Sequence, residues 1–119
     1  MKTVDVLIAA REILASGKWG KGRFFEPLTG YYCAAGALHR ACGAKVWGGN
    51  FSSPNPKLAC RAFAYLGFAA RDFGDIMCFN DRIDTTIDHV LKLYDIAIAN
   101  ARRRHSFTGR KLTIKDLSA

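Results

Sequence analysis

The sequence predicts an all-α fold, a compact bundle of about four main helices with room for one small β-hairpin near residues 23–33. Three observations carry that prediction. Apolar residues recur at helical spacing in separated stretches. Capping residues and Pro or Gly breakers bracket those stretches. The chain has 119 residues, 50% hydrophobic and 24% charged, which suits one domain around one core.

The first helix is expected over about 4–16, in "TVDVLIAAREILASG". Thr3 is a fitting N-cap, Asp5 suits the positive helix end, and Gly17 stops it. Val4, Leu7, Ile8 and Leu14 form a stripe that only Arg11 breaks. "KWGKGRFFEPLTGYY" then loses the period, and Pro27 with Gly30 reads as a turn. "RFFE" can face "GYYC" across that turn as a hairpin, or the segment can be an irregular loop that buries its aromatic residues.

A second, thin helix follows over about 33–41, rich in alanine, with Gly43 as its stop. Gly36 costs it about 1 kcal/mol against alanine, so a close packing contact is expected there. "AKVWGGNFSSPNP" reads as loop. Asn55 as N-cap and Pro56 at the first helical position open a third helix over about 56–70. Leu58, Ala62, Leu66 and Ala69 share its inner face, and Gly67 again suggests close contact. "RDFGDIMCFNDRIDT" is a break with a buried apolar segment. The last long helix begins near Asp84 or Thr85 and runs to about Arg102, with Thr85 and Asp88 as a weak capping box. One helical domain over 1–101 is therefore expected. Residues 102–119 would be a basic tail, or an arm that docks through Phe107, Leu112 and Ile114.

Net charge is +8, unevenly placed. Arg102, Arg103, Arg104, Arg110, Lys111 and Lys115 stand against Asp116, giving the tail +5. This asymmetry makes an acidic partner or nucleic acid a candidate. No apolar run reaches the roughly 18 residues of a membrane span. Asp5, Arg11 and Glu12 interrupt the N-terminal apolar stretch, so no leader peptide and a cytoplasmic location are expected. Four cysteines stand at 33, 42, 60 and 78 with no C-x-x-C, so reduced thiols are expected, and neither a metal nor a cofactor.

Cys33 is the one candidate nucleophile, because a helix N-terminus lowers a thiol pKa. His39, six residues on, would face away from it, and a small core residue where Tyr31 and Tyr32 enter the core fits the position better. Asn80 and Asp81 could orient such a thiol, or could brace the loop before the last helix. Trp19, Lys21 and Arg23 could join Cys33, Asn80 and Asp81 in one pocket. Trp19, Lys21, Arg23 and Trp47 are the candidate protein-binding residues. Arg102, Arg103, Arg104, Arg110 and Lys111 are the candidates for nucleic acid.

Trp19 and Gly22; Cys33, Gly36, Ala37 and Leu38; Phe79, Asn80 and Asp81; and Asp95, Ala97 and Ile98 form ordered short elements. They resemble a family of small uncharacterised bacteriophage and actinobacterial proteins with W-x-x-G, C-x-x-G-A-L and (W/F)-N-D elements. Phe79 stands where tryptophan is usual in that family. The resemblance spans most of residues 4–101 and implies a shared helical fold and a viral source, not a reaction. The expected function is a small non-enzymatic binding protein engaging another protein, a host protein in the host cytoplasm if the source is viral. Non-specific nucleic-acid binding through the tail is the alternative, and a cysteine-dependent enzyme using Cys33 the second.

Overall fold

A computed structural model describes residues 2–47, 50–52, 54–103 and 113–118, without the side chains of 45–47 and 50–52. Helix α1 spans Thr3–Ala15 and buries Val6, Leu7, Ala10 and Leu14. Its cap is Lys2, one residue before the expected Thr3, and the Lys2 backbone N–H donates to Asp5 Oδ2 at 2.9 Å. Arg11, which breaks the apolar stripe, reaches Asp95 on the last long helix at 2.7 Å. The polar interruption is thus an inter-helix ion pair.

Strands β1 (Phe25–Glu26) and β2 (Tyr31–Tyr32) form the expected antiparallel hairpin, with Phe25 opposite Tyr32 and Glu26 opposite Tyr31. Helix α2 (Ala34–Ala41) starts at the Cys33 cap. The following segment, expected as loop, instead pairs β3 (Lys45–Trp47) with β4 (Asn50–Ser52) as a second small hairpin. Its Gly, Ser and Pro residues concealed three residues of ladder on each side. Helix α3 (Pro56–Ala69) opens as predicted, with Asn55 Oδ1 accepting the Leu58 N–H at 3.2 Å. A Cβ at Gly67 would meet nothing within 4 Å, so that glycine marks no close contact.

The expected break before the last long helix contains one further helix, α4 (Ile76–Asp81), after a single 3₁₀ turn at Arg71–Phe73. Asp75 caps it, Oδ1 accepting the Cys78 N–H at 2.7 Å. Six residues are too few for a periodic apolar pattern to declare itself. Helix α5 spans Ile87–Arg103 and buries Val90, Leu93, Tyr94, Ala97 and Ile98. A last short helix, α6 (Ile114–Ser118), packs on α5 and inserts Leu117, only 2% exposed, into the core. Ile114 packs against that core, while Phe107 and Leu112 lie outside the described residues.

Helix α1 sits at the centre of the packing, against α2, α3 and α5, and α3 covers a further face of α5. Among the described residues, no helix is long and apolar enough to cross a membrane.

Candidate functional site

Asn80 is the organising residue of the site. It lies on α4, 1% exposed, and all four of its hydrogen-bonding positions are engaged. Its Oδ1 accepts the Trp19 indole N–H at 2.7 Å and the Ala34 backbone N–H at 3.0 Å. Its Nδ2 donates to the Gly20 carbonyl at 3.2 Å and to Asp81 Oδ1 at 3.0 Å. The first two partners can only donate and the last two only accept, so the amide has one possible orientation. Asp81 Oδ1 also accepts the Gly22 N–H at 2.9 Å. Gly22 has φ +89, a backbone region that side chains disfavour, which accounts for glycine at the end of W-x-x-G.

The C-x-x-G element meets this joint from the other side. Cys33 Sγ accepts the Gly36 N–H at 3.3 Å as the cap of α2. A Cβ on Gly36 would stand 1.8 Å from the Phe24 carbonyl oxygen, so only glycine lets the hairpin segment lie against α2. The expected close contact is therefore with backbone. Tyr94 completes the clamp: its hydroxyl donates to the Ala34 carbonyl at 2.6 Å. Ala34 is held through its N–H by α4 and through its C=O by α5.

These contacts bring Trp19, Lys21, Cys33, Asn80 and Asp81 into one region, and there they form a joint whose polar groups bond each other. Lys21 Nζ donates to the Arg82 carbonyl and stands 5.7 Å from the Trp19 ring centroid. Arg23 pairs with Glu26 at 3.2 Å, on the hairpin flank of the loop. Trp47 lies on β3, but its side chain is outside the described part. Arg102 and Arg103 are exposed at the end of α5, while Arg104, Arg110 and Lys111 lie outside the described residues. Two concavities, of about 390 and 370 Å³, open elsewhere. Arg11, Thr86, His89, Asp95, Leu117 and Ser118 help line the first, and Ile13, Ser16, Lys18, Tyr32 and Arg40 line the second.

Electrostatics at Cys33 run against thiolate chemistry. The side chain is 1% exposed, and burial pushes its pKa up, with the Asp81 carboxylate adding to the effect. The backbone N–H groups at the start of α2 pull the other way and do not prevail. A buried neutral thiol is a poor nucleophile. Burial likewise raises the Tyr94 phenol well above its ordinary value. His39 packs between Phe24 and Phe63, with ring centroids 5.6 and 4.6 Å away, and burial lowers its pKa. Among the described residues no group of three or more His, Cys, Asp or Glu side chains could hold a metal.

Sequence reasoning missed a second polar joint, at the start of α5. Thr85, expected as the cap, is buried and donates its hydroxyl to the Phe79 carbonyl at 2.7 Å. Asp84, the other expected start, chelates Arg82 at 2.9 Å through both oxygens. The capping box is therefore Thr86 with His89. The Thr86 N–H donates to His89 Nδ1 at 3.0 Å, and the His89 N–H approaches Thr86 Oγ1 at 3.4 Å. His89 Nε2 meets Ser118 Oγ on α6 at 2.7 Å. The threonine three residues before a histidine was visible in the sequence; the serine partner, 29 residues further on, was not.

Missed too were three exposed apolar side chains, Tyr31 and Ile83 beside the Trp19 loop and Leu28 in the β1–β2 turn. Leu28 is 94% exposed, Ile83 101% and Tyr31 42%. The loop is tied to Asp81 and Arg82 on one side, where Ile83 follows. On the other side Gly20 donates to the Tyr32 carbonyl, and Tyr31 packs against Gly20. The available signal was position: Leu28 in the Pro27–Gly30 turn and Ile83 between Arg82 and Asp84, both outside any helical stripe.

No curated protein and no solved structure matches the chain. A family model does, over residues 1–100, a span that contains the Asn80 joint, both hairpins and all but the end of α5. The chain belongs to DUF6197, a family of unknown function.

Proposed function

We propose that the chain is a binding protein that engages another protein through the loop face built on the Asn80 joint. One observation carries this reading: Tyr31 and Ile83 stand exposed on either side of the loop that the joint ties down, and Leu28 stands exposed in the turn of the hairpin that carries Tyr31. Large apolar side chains held out on a fixed scaffold are what interface anchors require. Trp19 braces this face from the joint, and Lys21 and Arg23, both exposed, lie on it with their polar groups bonded to neighbouring residues. The residues that could do chemistry are committed in the same way: Cys33 is a buried cap and Asn80 has no open valence. If the chain is phage-encoded, as the motif resemblance implies, the partner is a host protein and the site of action the host cytoplasm.

The test compares the parent with a Leu28→Asp, Ile83→Asp double variant as baits at native salt. Both positions are solvent-exposed, so the thermal midpoint should change little. The expected result is a specific protein recovered by the parent and lost by the variant. A parent that recovers none, or a variant that recovers the same protein equally well, overturns the reading.

A second reading, non-specific nucleic-acid binding, rests on Arg102 and Arg103, both exposed at the end of α5. Deleting 102–119 would also remove Leu117 from the core, so charge substitution is the cleaner test. An Arg102→Gln, Arg103→Gln variant should bind mixed DNA and RNA more weakly and with a shallower salt dependence. Absence of binding by the parent at low salt eliminates this reading.

A further inference from the structure

Helix α6 is seated by Ile114, which packs against the core, and by two neighbouring side chains near its end. Leu117 fills an apolar slot in the core, and Ser118 meets His89. The direction of each bond at His89 follows from its partners. The Thr86 backbone N–H can only donate, so Nδ1 carries no proton. In the neutral ring the proton is therefore on Nε2, which donates to Ser118 Oγ. The serine hydroxyl in turn donates to the Ile114 carbonyl at 2.8 Å. A chain of four groups thus runs from the cap of α5 to the body of α6. A serine whose proton points to a carbonyl is not poised as a nucleophile toward this histidine.

That polarity tolerates one protonation state. A proton added at Nδ1 would face the Thr86 N–H across 3.0 Å, donor against donor. The cap bond would be lost and the ring of His89, a residue only 8% exposed, would have to turn, taking Nε2 away from Ser118. The charged surroundings are mixed. Arg11 faces the joint from α1, and Asp88, Lys92 and Asp95 from α5. Asp84 lies close enough to feel His89, and α6 itself carries Lys115 and Asp116. Arg11 pairs with Asp95 and Arg82 with Asp84, although the Asp84 carboxylate still favours a charged ring; against it stands the hydrogen-bond pattern, which admits no proton at Nδ1.

We infer that His89 is a proton-operated latch: its neutral ring seats residues 113–118 on α5, and its protonation releases them. Release uncovers the Leu117 slot beside the 390 Å³ groove. Acidification would thus present a new apolar surface.

The test is an NMR titration of the full chain, following the His89 ring nitrogens and the backbone amides of 113–118. Above the titration, His89 should be the Nε2–H tautomer. As the ring takes up its proton, the 113–118 amides should lose their dispersed shifts at the same midpoint. The Leu117 amide, bonded to the Thr113 carbonyl, should then exchange at least about tenfold faster after correction for intrinsic rates. Ala34 and Tyr94 amides should stay unchanged. A His89→Gln variant supplies the control, because glutamine serves the same capping position without titrating. Its arm should be insensitive to pH in that range; an arm free at every pH would also show that the ring does the seating. Three results overturn the inference: His89 titrating while the arm stays docked, the arm leaving the variant at the parent's midpoint, or Tyr94 and Ala34 unfolding in the same step.

Discussion

Asn80 and His89 are both buried polar side chains, and each ties together segments far apart in the chain, although His89 bonds partners that are themselves exposed. They differ in what a proton can do to them. Asn80 cannot titrate, and its four bonds hold the Trp19 loop, the start of α2 and the neighbouring Asp81. His89 can titrate, and one of its two ring bonds requires an unprotonated nitrogen. The lesson is that burial alone does not make a polar contact permanent. An amide saturated by obligate donors and acceptors is a fixed joint, whereas an imidazole in the same setting is conditional.

The largest effect is expected where the fixed joint is broken. Asn80→Ala leaves the Trp19 indole N–H, the Ala34 N–H and the Gly20 carbonyl without their partner in a part-buried to buried region. Each orphaned group costs about 1–3 kcal/mol, but local relaxation and water recover part of it, so a total of about 3–5 kcal/mol is expected. Urea unfolding measures this directly. A loss below about 1 kcal/mol would mean that the joint is ornamental and that the comparison fails on its fixed side.

How much of this was legible in the sequence depends on the range of the interaction. Helices α1, α2, α3 and α5 announce themselves through apolar spacing and local caps, as Asn55 and Pro56 do for α3. The first hairpin was visible in Pro27 and Gly30, since its turn is made by adjacent residues. The second hairpin was not, because its short strands sit among residues that favour loops. At α5, Asp84 and Thr85 offered themselves as starts, but Arg82 holds Asp84 and the Phe79 carbonyl claims Thr85, which leaves the cap to Thr86. The elements W-x-x-G, C-x-x-G and F-N-D could be picked out one by one. That they converge on Asn80 depends on contacts spanning 46 to 61 positions, which no local pattern encodes. The placement of Ile83 beside the Trp19 loop follows from the same convergence.

The smallest effect should come from the conditional joint, and its size is informative. Ser118→Ala removes the acceptor of the His89 Nε2–H while leaving Leu117 and the Thr86–His89 cap in place. Global stability should fall by about 1 kcal/mol or less, yet exchange of the Leu117 amide should rise at neutral pH, as if the latch had been opened without acid. The pH dependence of global stability should persist in this variant, because it has a separate source. Burial lowers the His39 pKa below its ordinary 6.5, so the folded state favours the neutral ring. That contribution is complete above 6.5 and is lost as the pH falls toward the lowered value in the folded chain. Urea midpoints at several pH values should therefore decline with acid in parent and variant alike, while the arm's exchange differs between them at neutral pH. If instead Ser118→Ala lowered global stability as much as Asn80→Ala, α6 would be part of the fixed core, and the two joints would not differ in kind.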